Sequence, residues 1–548
     1  MFSSFFLKIL TFFANNICIS KLNKVNIILS IKERELWMMK PYEQMPLMKT
    51  ENGIYEEQFH LGANIYRTHV LGATKAEFEA YLLDLQASGF ILSNRIDSDE
   101  KRIWTGTVQK DTLFATIYYR TEKTAITTWY DVAAPTWTGE SIFKNIPTFP
   151  EYDSHPESLD CGAGNYVLTF SNTNKKDYDT YLQILSDNGF EKHSDNGIGL
   201  YDAVFCSTYT KDALSLTVTH MQLLNKTYLS ACYHLPLSEH LCSDVLCKEA
   251  IATDNKTELH LPELWKFGNS FIFKLKNGHF ILSDGGWMCE LRYLLDYLES
   301  LVPDNEKPII DGWFISHSHP DHSGVIRELV ANPEYANRIY VEGFYYNEPS
   351  AAVFAFDQAG RAQMNFMKLA TELLHRTDGS HPDIYRPQTG QRYYFNDITV
   401  DIILGQEQHL CENYYRRDFN DSSTWCMFTI EGQKILLGGD GGPGATAVIM
   451  SAYDKKYFHL DMFATLHHCL NTFDDFTDFC KIKTAIFTRA SEPKTNAAEN
   501  QHLKEVSGEW FTREEGPRVL TFPYSVGSSK ILEHFKWIYN EGEEKPFS

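Results

Sequence analysis

The sequence predicts an α/β fold preceded by a duplicated α+β unit, on three observations. A helix-like pattern occurs twice, 100 residues apart. From about residue 250 the chain changes to apolar strands alternating with helical stretches. Metal-binding residue types then collect at the ends of three such strands. At 548 residues the chain is too long for one ordinary core, so several domains are expected.

The first element, "MFSSFFLKILTFFANNICIS", is apolar but interrupted by Lys8. It has no basic region before it and no clean small-residue cleavage site, and it is short for a membrane span. Met38, Met39, Met45 and Met48 follow closely. Residues 1–45 are therefore expected to be a dispensable leader, with the biological start near one of these methionines.

The repeat comes next. "KAEFEAYLLDLQASGF" begins at Lys75 and "KKDYDTYLQILSDNGF" at Lys175. Phe78, Tyr81, Leu82 and Leu85 correspond to Tyr178, Tyr181, Leu182 and Leu185. The i, i+3, i+4, i+7 spacing is a buried helical stripe, and Gly89 and Gly189 are its stops. Strand-like runs flank each helix, with Lys110-Asp111 and Lys211-Asp212 as matching hairpin turns. Residues 46–150 and 151–248 thus read as two copies of one helix-on-sheet unit. Neither holds a catalytic cluster, so a structural or dimerising role is expected.

Residues 249–548 read as a third domain. "SFIFKLKNGHFILSDGG" is a hairpin turning at Asn277-Gly278. The helix-like "MCELRYLLDYLESLV" precedes the strand "PIIDGWFIS". A helical insert is expected between Asn347 and Arg376, followed by the strands "DITVDIIL", "STWCMFTIEGQKILLGGD", "MFATLHH" and "TAIFTR".

The chemistry concentrates in "SHSHPDHSG", after the first buried strand. One ion cannot easily take His317, His319, Asp321 and His322 from so short a loop. Two adjacent ions can, with the first two residues on one and the last two on the other. Asp440 ends another strand in a glycine-rich turn, and His467 and His468 end a third. Ligand types at several strand ends suit an open α/β sheet, whose sites lie at the carboxyl edge.

"HSHPDH" resembles the HxHxDH signature of the metallo-β-lactamase superfamily, and "FILSDGG" resembles its first motif. The resemblance covers about residues 255–530 and implies a four-layer αββα sandwich. It implies metal ligation by His317, His319, Asp321, His322, the bridging Asp440 and His468, with His467 as a further candidate. Asp284 would orient the site from behind. The usual third histidine of the first metal is missing. His381 and His409 are the candidate substitutes, His409 lying nearer the strand. "NDSS" from Asn420 is similar to the N-x-x-S of the branch with competence DNA-uptake hydrolases and phosphorylcholine esterase. That branch ends in "HHG", where this chain has "HHC". Asn420, Asp421 and Ser422 would orient the metal's water or the substrate, or else cap a strand. Cys426 and Cys469 are read as packing residues.

The implied activity is hydrolysis by water activated between two divalent ions, zinc first, iron or manganese as alternatives. Asp321 would steer the hydroxide, and whichever of His467 and His468 is not a ligand would act on the leaving group or oxyanion. A small phosphoester or phosphodiester is the expected substrate. The alternatives are a thioester, lactone or β-lactam, an iron-dependent oxidoreductase on the same fold, or a non-catalytic metal-binding protein. A net charge of −22, from 72 acidic and 50 basic residues, argues against long nucleic acid as partner. No membrane association is expected, and the repeated units allow a homodimer. Eleven scattered cysteines without a CxxC pair fit a reducing cytoplasm. Cys242 and Cys247, the nearest pair, lack neighbouring ligand types and are expected to pack.

Overall fold

The computed structural model describes residues 46–535 except 52–53, 60–64, 99–102, 111–112, 121–123, 132–141, 151–156, 161–164, 201–202, 245–253, 265–266, 348–365, 406–419, 489–496 and 514–515. The expected leader, Cys247, His409 and most of the expected insert after Asn347 lie outside the described residues. No helix among the described residues is long and apolar enough to cross a membrane.

The described residues form two compact units, one within Met1–Ile96 and Trp104–Ala133, the other within Asp97–Ile103 and Ala134–Ser548. The first is a six-stranded sheet in the order Ile54–Phe59, Ile65–Leu71, Thr124–Asp131, Leu113–Arg120, Ile103–Lys110, Ile91–Ser98. The helix Lys75–Ala87 buries Phe78, Tyr81, Leu82 and Leu85 in a core with Trp104, Val108 and Ile117. Thr74 and Glu77 close a capping box at its start, satisfying backbone N–H groups that have no partner inside the helix.

The second unit opens with a six-stranded sheet of the same strand sequence: Glu157–Asp160, Tyr166–Ser171, Lys226–Tyr233, Leu214–Met221, Val204–Lys211, Glu191–Ile198. Its helix, Lys175–Asp187, buries Tyr178, Tyr181 and Leu185. Details recur between the two sheets. Tyr81 donates to the Pro46 carbonyl at 2.8 Å and Tyr181 to that of Pro147 at 2.9 Å. Lys110 Nζ donates to Ser88 O at 2.8 Å and Lys211 Nζ to Asn188 O at 2.7 Å.

The same unit continues into a sandwich of a nine-stranded and a seven-stranded sheet. Apolar side chains of both, among them Phe273, Phe314, Val400, Phe428 and Ile486, fill the space between them. Helices Leu291–Glu299, Pro320–Ala331 and Phe366–Leu373 pack outside the first sheet. Helix Asp474–Cys480 lies outside the second, its Phe476 against Trp425 and Phe463. The order is thus helix, sheet, sheet, helix. The Thr389-Gly390 turn seats this sandwich on the sheet of the same unit. Thr219 donates to the Thr389 carbonyl at 3.1 Å, and a Cβ on Gly390 would lie 2.7 Å from that of Cys206.

Candidate metal centre

In the nine-stranded sheet Phe280–Asp284, Ile309–Ile315 and Gly343–Tyr346 run parallel. In the other sheet Gln433–Leu437, Met462–Ala464 and Thr484–Ile486 do the same. Parallel strands bring their carboxyl ends to one edge, so segments far apart in sequence meet there. His319 caps the helix Pro320–Ala331, whose first turn carries Asp321 and His322. Pro320 suits that place, since a first-turn N–H would have no helical partner.

The glycines around Asp440 allow close approach. A Cβ at Gly441 would lie 2.3 Å from the Trp425 indole, and one at Gly439 2.8 Å from Ser316 Oγ. His467 N donates to Gly439 O at 3.2 Å, tying the two ligand loops together. His467, His468 and Cys469 have φ of +46°, +50° and +69°. Left-handed backbone costs side chains about 1–2 kcal/mol each, and such strain clusters at functional sites.

Two donor groups result. Asp321, His322, Asp440 and His468, all buried, offer atoms within 4.8 Å of one another; so do His317, His319 and Asp440. Asp440 belongs to both. His322 Nε2 lies 3.0 Å from Asp440 Oδ1, His468 Nε2 lies 3.4 Å from it, and the two nitrogens are 3.2 Å apart. Tetrahedral ligands about 2.0–2.1 Å from zinc are about 3.3 Å from one another, so the spacing fits. Asp440 Oδ1 is buried and accepts no hydrogen bond among the described residues. Imidazole and carboxylate donor atoms crowded together in a buried space suit a cation between them. His468 Nε2 lies 2.8 Å from Asp321 Oδ2. In the other group His317 Nε2 lies 3.0 Å from His319 Nδ1 and 3.9 Å from Asp440 Oδ2.

Behind these donors, Asp284 accepts from Ser316 N at 2.8 Å and Ser316 Oγ at 2.9 Å, and its Oδ2 is 2.8 Å from His322 Nδ1. A proton on that Nδ1 leaves Nε2 aimed at the centre. Burial would push His322 down, but the carboxylates of Asp440, Asp284 and Asp321 hold it well above its ordinary value. His468 is raised in the same way against its burial, chiefly by Asp440 and then Asp321. Burial would raise Asp440, yet the charges of His322 and His468 hold it well below the usual carboxylate range. His317 is pushed well below by burial and by the His322 and His319 imidazoles.

His467 is half-buried between two amides, Asn420 Nδ2 at 3.2 Å and Asn471 Nδ2 at 3.3 Å, with its Nε2 3.8 Å from Asp440 Oδ2. Asn420 therefore meets His467 before any donor of the first group. Of that segment, the hydroxyl that reaches His317 Nδ1 is Ser423's, at 3.3 Å, one residue beyond Ser422; Ser316 Oγ lies 3.1 Å from the same nitrogen. Ser423 also accepts from Asp440 N at 3.2 Å. The N-x-x-S pattern beginning at Asn420 holds the signal, since its serine is Ser423. His381 is not brought to the centre: it is exposed, with Nδ1 2.9 Å from the Leu374 carbonyl. Sequence reasoning missed Phe267, whose ring lies 5.4 Å from that of His468. Cys426 and Cys469 are buried, and Cys242 donates to the His193 carbonyl at 3.1 Å.

Fold and site together define a mixed α/β sandwich with a buried histidine–aspartate cluster suited to divalent metal. No family model matches the chain. A search of curated proteins found no match. Similar solved structures include a metallo-β-lactamase with a HARLDQ motif from Cronobacter sakazakii, 14% identical over 40% of this chain and 80% of that one, with a TM-score of 0.22. Zinc-bound PqqB from Methylobacterium extorquens is also similar, 10% identical over 45% of this chain and 85% of that one, with a TM-score of 0.28.

Proposed function

We propose that this chain is a metal-dependent hydrolase that holds two divalent cations through Asp440 and acts on a small phosphoester or phosphodiester. The observation that carries the reading is the pair of donor groups sharing that one carboxylate. His317, His319 and Asp440 would hold one ion, and Asp321, His322, Asp440 and His468 the other. Ions so placed lower the pKa of a bound water and polarise the bond to be cut. Around them the chain's own groups have distinct tasks. Asp284 keeps the His322 proton on Nδ1, and Ser316 and Ser423 do the same for His317. Asp321 orients the attacking oxygen. His467, half-open to solvent, would deliver a proton to the leaving oxygen. The resemblance of "NDSS" and "HH" to the esterase branch supports a phosphoester, and the acidic surface favours a small one over a polyanion.

Elemental analysis beside chromogenic phosphodiester, phosphomonoester, thioester and β-lactam substrates tests this. We expect up to two divalent ions per chain and phosphoester turnover that chelation abolishes. Asp440→Ala should lose metal as well as rate, because the carboxylate serves both ions. Protein that takes up no metal would exclude the mechanism, and turnover of the thioester or β-lactam alone would exclude the substrate class.

A further inference from the structure

One buried charge near the centre has no task in that mechanism. Arg513 is 3% exposed and comes just after Glu509–Phe511, the edge strand of the seven-stranded sheet. Its guanidinium reaches across to the other sheet. It donates to Ser270 O at 3.0 Å and Gly268 O at 3.4 Å, and lies 4.9 Å over the Phe271 ring. The Glu290 carboxylate is the charge that most offsets its burial, and among the described residues its Nε has no hydrogen-bond partner. Burial pushes it down to about 10, which still leaves it charged at neutral pH. A buried cation whose direct hydrogen bonds go to backbone carbonyls is costly, and an apolar side chain of similar length would fill the space more cheaply.

What Arg513 holds explains why such a charge is kept. Residues 267–270 form a strap beneath the Asp321–His468 side of the centre. Asn269 N donates to Asp321 O at 3.1 Å. Gly268 runs so close that a Cβ would meet that same carbonyl at 2.8 Å. Phe267 lies between His468 and Trp287, with ring centroids 5.4 and 5.5 Å away. The strand Glu258–Leu261 pairs with Ser270–Lys274 only as far as His260 opposite Ile272, so that ladder does not extend to the strap.

We infer that Arg513 is a positioning residue: through the 267–270 strap it fixes Asp321 and His468 for the second cation. This rests on the metal-hydrolase reading above. The arrangement predicts that the second donor group loosens without Arg513 while His317 and His319, which the strap does not touch in these contacts, keep their affinity.

The test uses the full chain, Zn²⁺ titrated against a chromogenic chelator, and the visible spectrum of the Co²⁺-loaded protein. Arg513→Met should fold by circular dichroism yet bind the ion of the Asp321, His322, Asp440 and His468 group, which its larger donor set makes the tighter, about 10–100-fold more weakly, with a shifted Co²⁺ band and an unchanged weaker step. Arg513→Lys, which keeps a charge and a donor, should recover most of the tighter step. A folded Arg513→Met with wild-type affinities and an unshifted band would overturn the inference. If Arg513→Met does not fold, Phe267→Leu probes the strap from its other end: a weaker tight step supports the inference, an unchanged one overturns it. Wild-type protein that takes up no metal overturns the hydrolase reading itself, a result distinct from equal loading of wild type and variant.

Discussion

Asp284 illustrates how one carboxylate tunes a site it does not enter. It is 2% exposed, sits at φ +58°, and is surrounded by Ser316 N, Ser316 Oγ and His322 Nδ1. An amide there can accept on one side only, and its NH₂ would oppose either Ser316 N or both Ser316 Oγ and the His322 proton. Asp284→Asn should therefore weaken metal uptake by about 10–100-fold while leaving the chain folded. Zinc titration reads this directly, and an unchanged affinity would remove Asp284 from the site's support. Cys469 bears left-handed strain without being a donor in either group. Glycine would remove about 1–2 kcal/mol of strain. It would also lose a buried side chain and raise the unfolded chain's entropy by about 0.5–1 kcal/mol. These terms nearly cancel, so Cys469→Gly should lie within about 1 kcal/mol of wild type, whereas a β-branched valine at φ +69° should be strongly destabilised. Urea unfolding of the two variants decides it; equal midpoints would contradict the strain argument.

At this scale the candidate donors from His317 to His322 were legible because four of them crowd one turn. Asp440 and the histidine doublet were legible as polar ends of apolar strands. Ser423 was passed over beside Ser422 because adjacent hydroxyls differ only in which way a short turn points them. Phe267 and Arg513 carry no local signature, since their roles arise from contacts with chain about 200–250 residues away in sequence.

Among the elements, helices were the most readable. The stripe in Lys75–Ala87 and Lys175–Asp187 repeats at helical spacing, and glycine ends both. Short strands such as Asp383–Tyr385, only 3 residues long, have too little pattern to read and are held by their neighbours. The turn 438–442 was readable as glycine-rich, but its reason is the Trp425 indole lying against Gly438 and Gly441. Gly441→Ala would drive a methyl to within 2.3 Å of that ring. Overpacking of this kind costs about 1–3 kcal/mol, and here it also displaces Asp440. We expect a lower urea midpoint together with lower metal content. A variant with a wild-type midpoint and full metal would show that the ring moves freely, and the turn would then not be what positions the carboxylate.

For the whole molecule, we propose that the two six-stranded sheets are copies of one unit. Their common strand order and the paired Tyr81/Tyr181 and Lys110/Lys211 hydrogen bonds support this. Only one of them shares a compact unit with the candidate metal centre, and this makes metal linkage a test of organisation. A ligand that binds only the folded state stabilises it by about 2.7 kcal/mol at a hundredfold excess over its Kd. That gain belongs to the unit that contains the donors. Calorimetry of the full chain should show a transition that chelator lowers and zinc restores, and another, from the unit within residues 46–131, that neither moves. The effect has a definite pH sign. Neighbouring carboxylates hold His322 and His468 above their ordinary values. Both therefore keep their protons to higher pH when no cation is bound, and metal must displace those protons. Zinc uptake should release protons, and the zinc-dependent shift should shrink as pH falls below neutrality. A shift that grew on acidification, or one shared equally by both transitions, would contradict the assignment of these histidines to a metal centre confined to one unit.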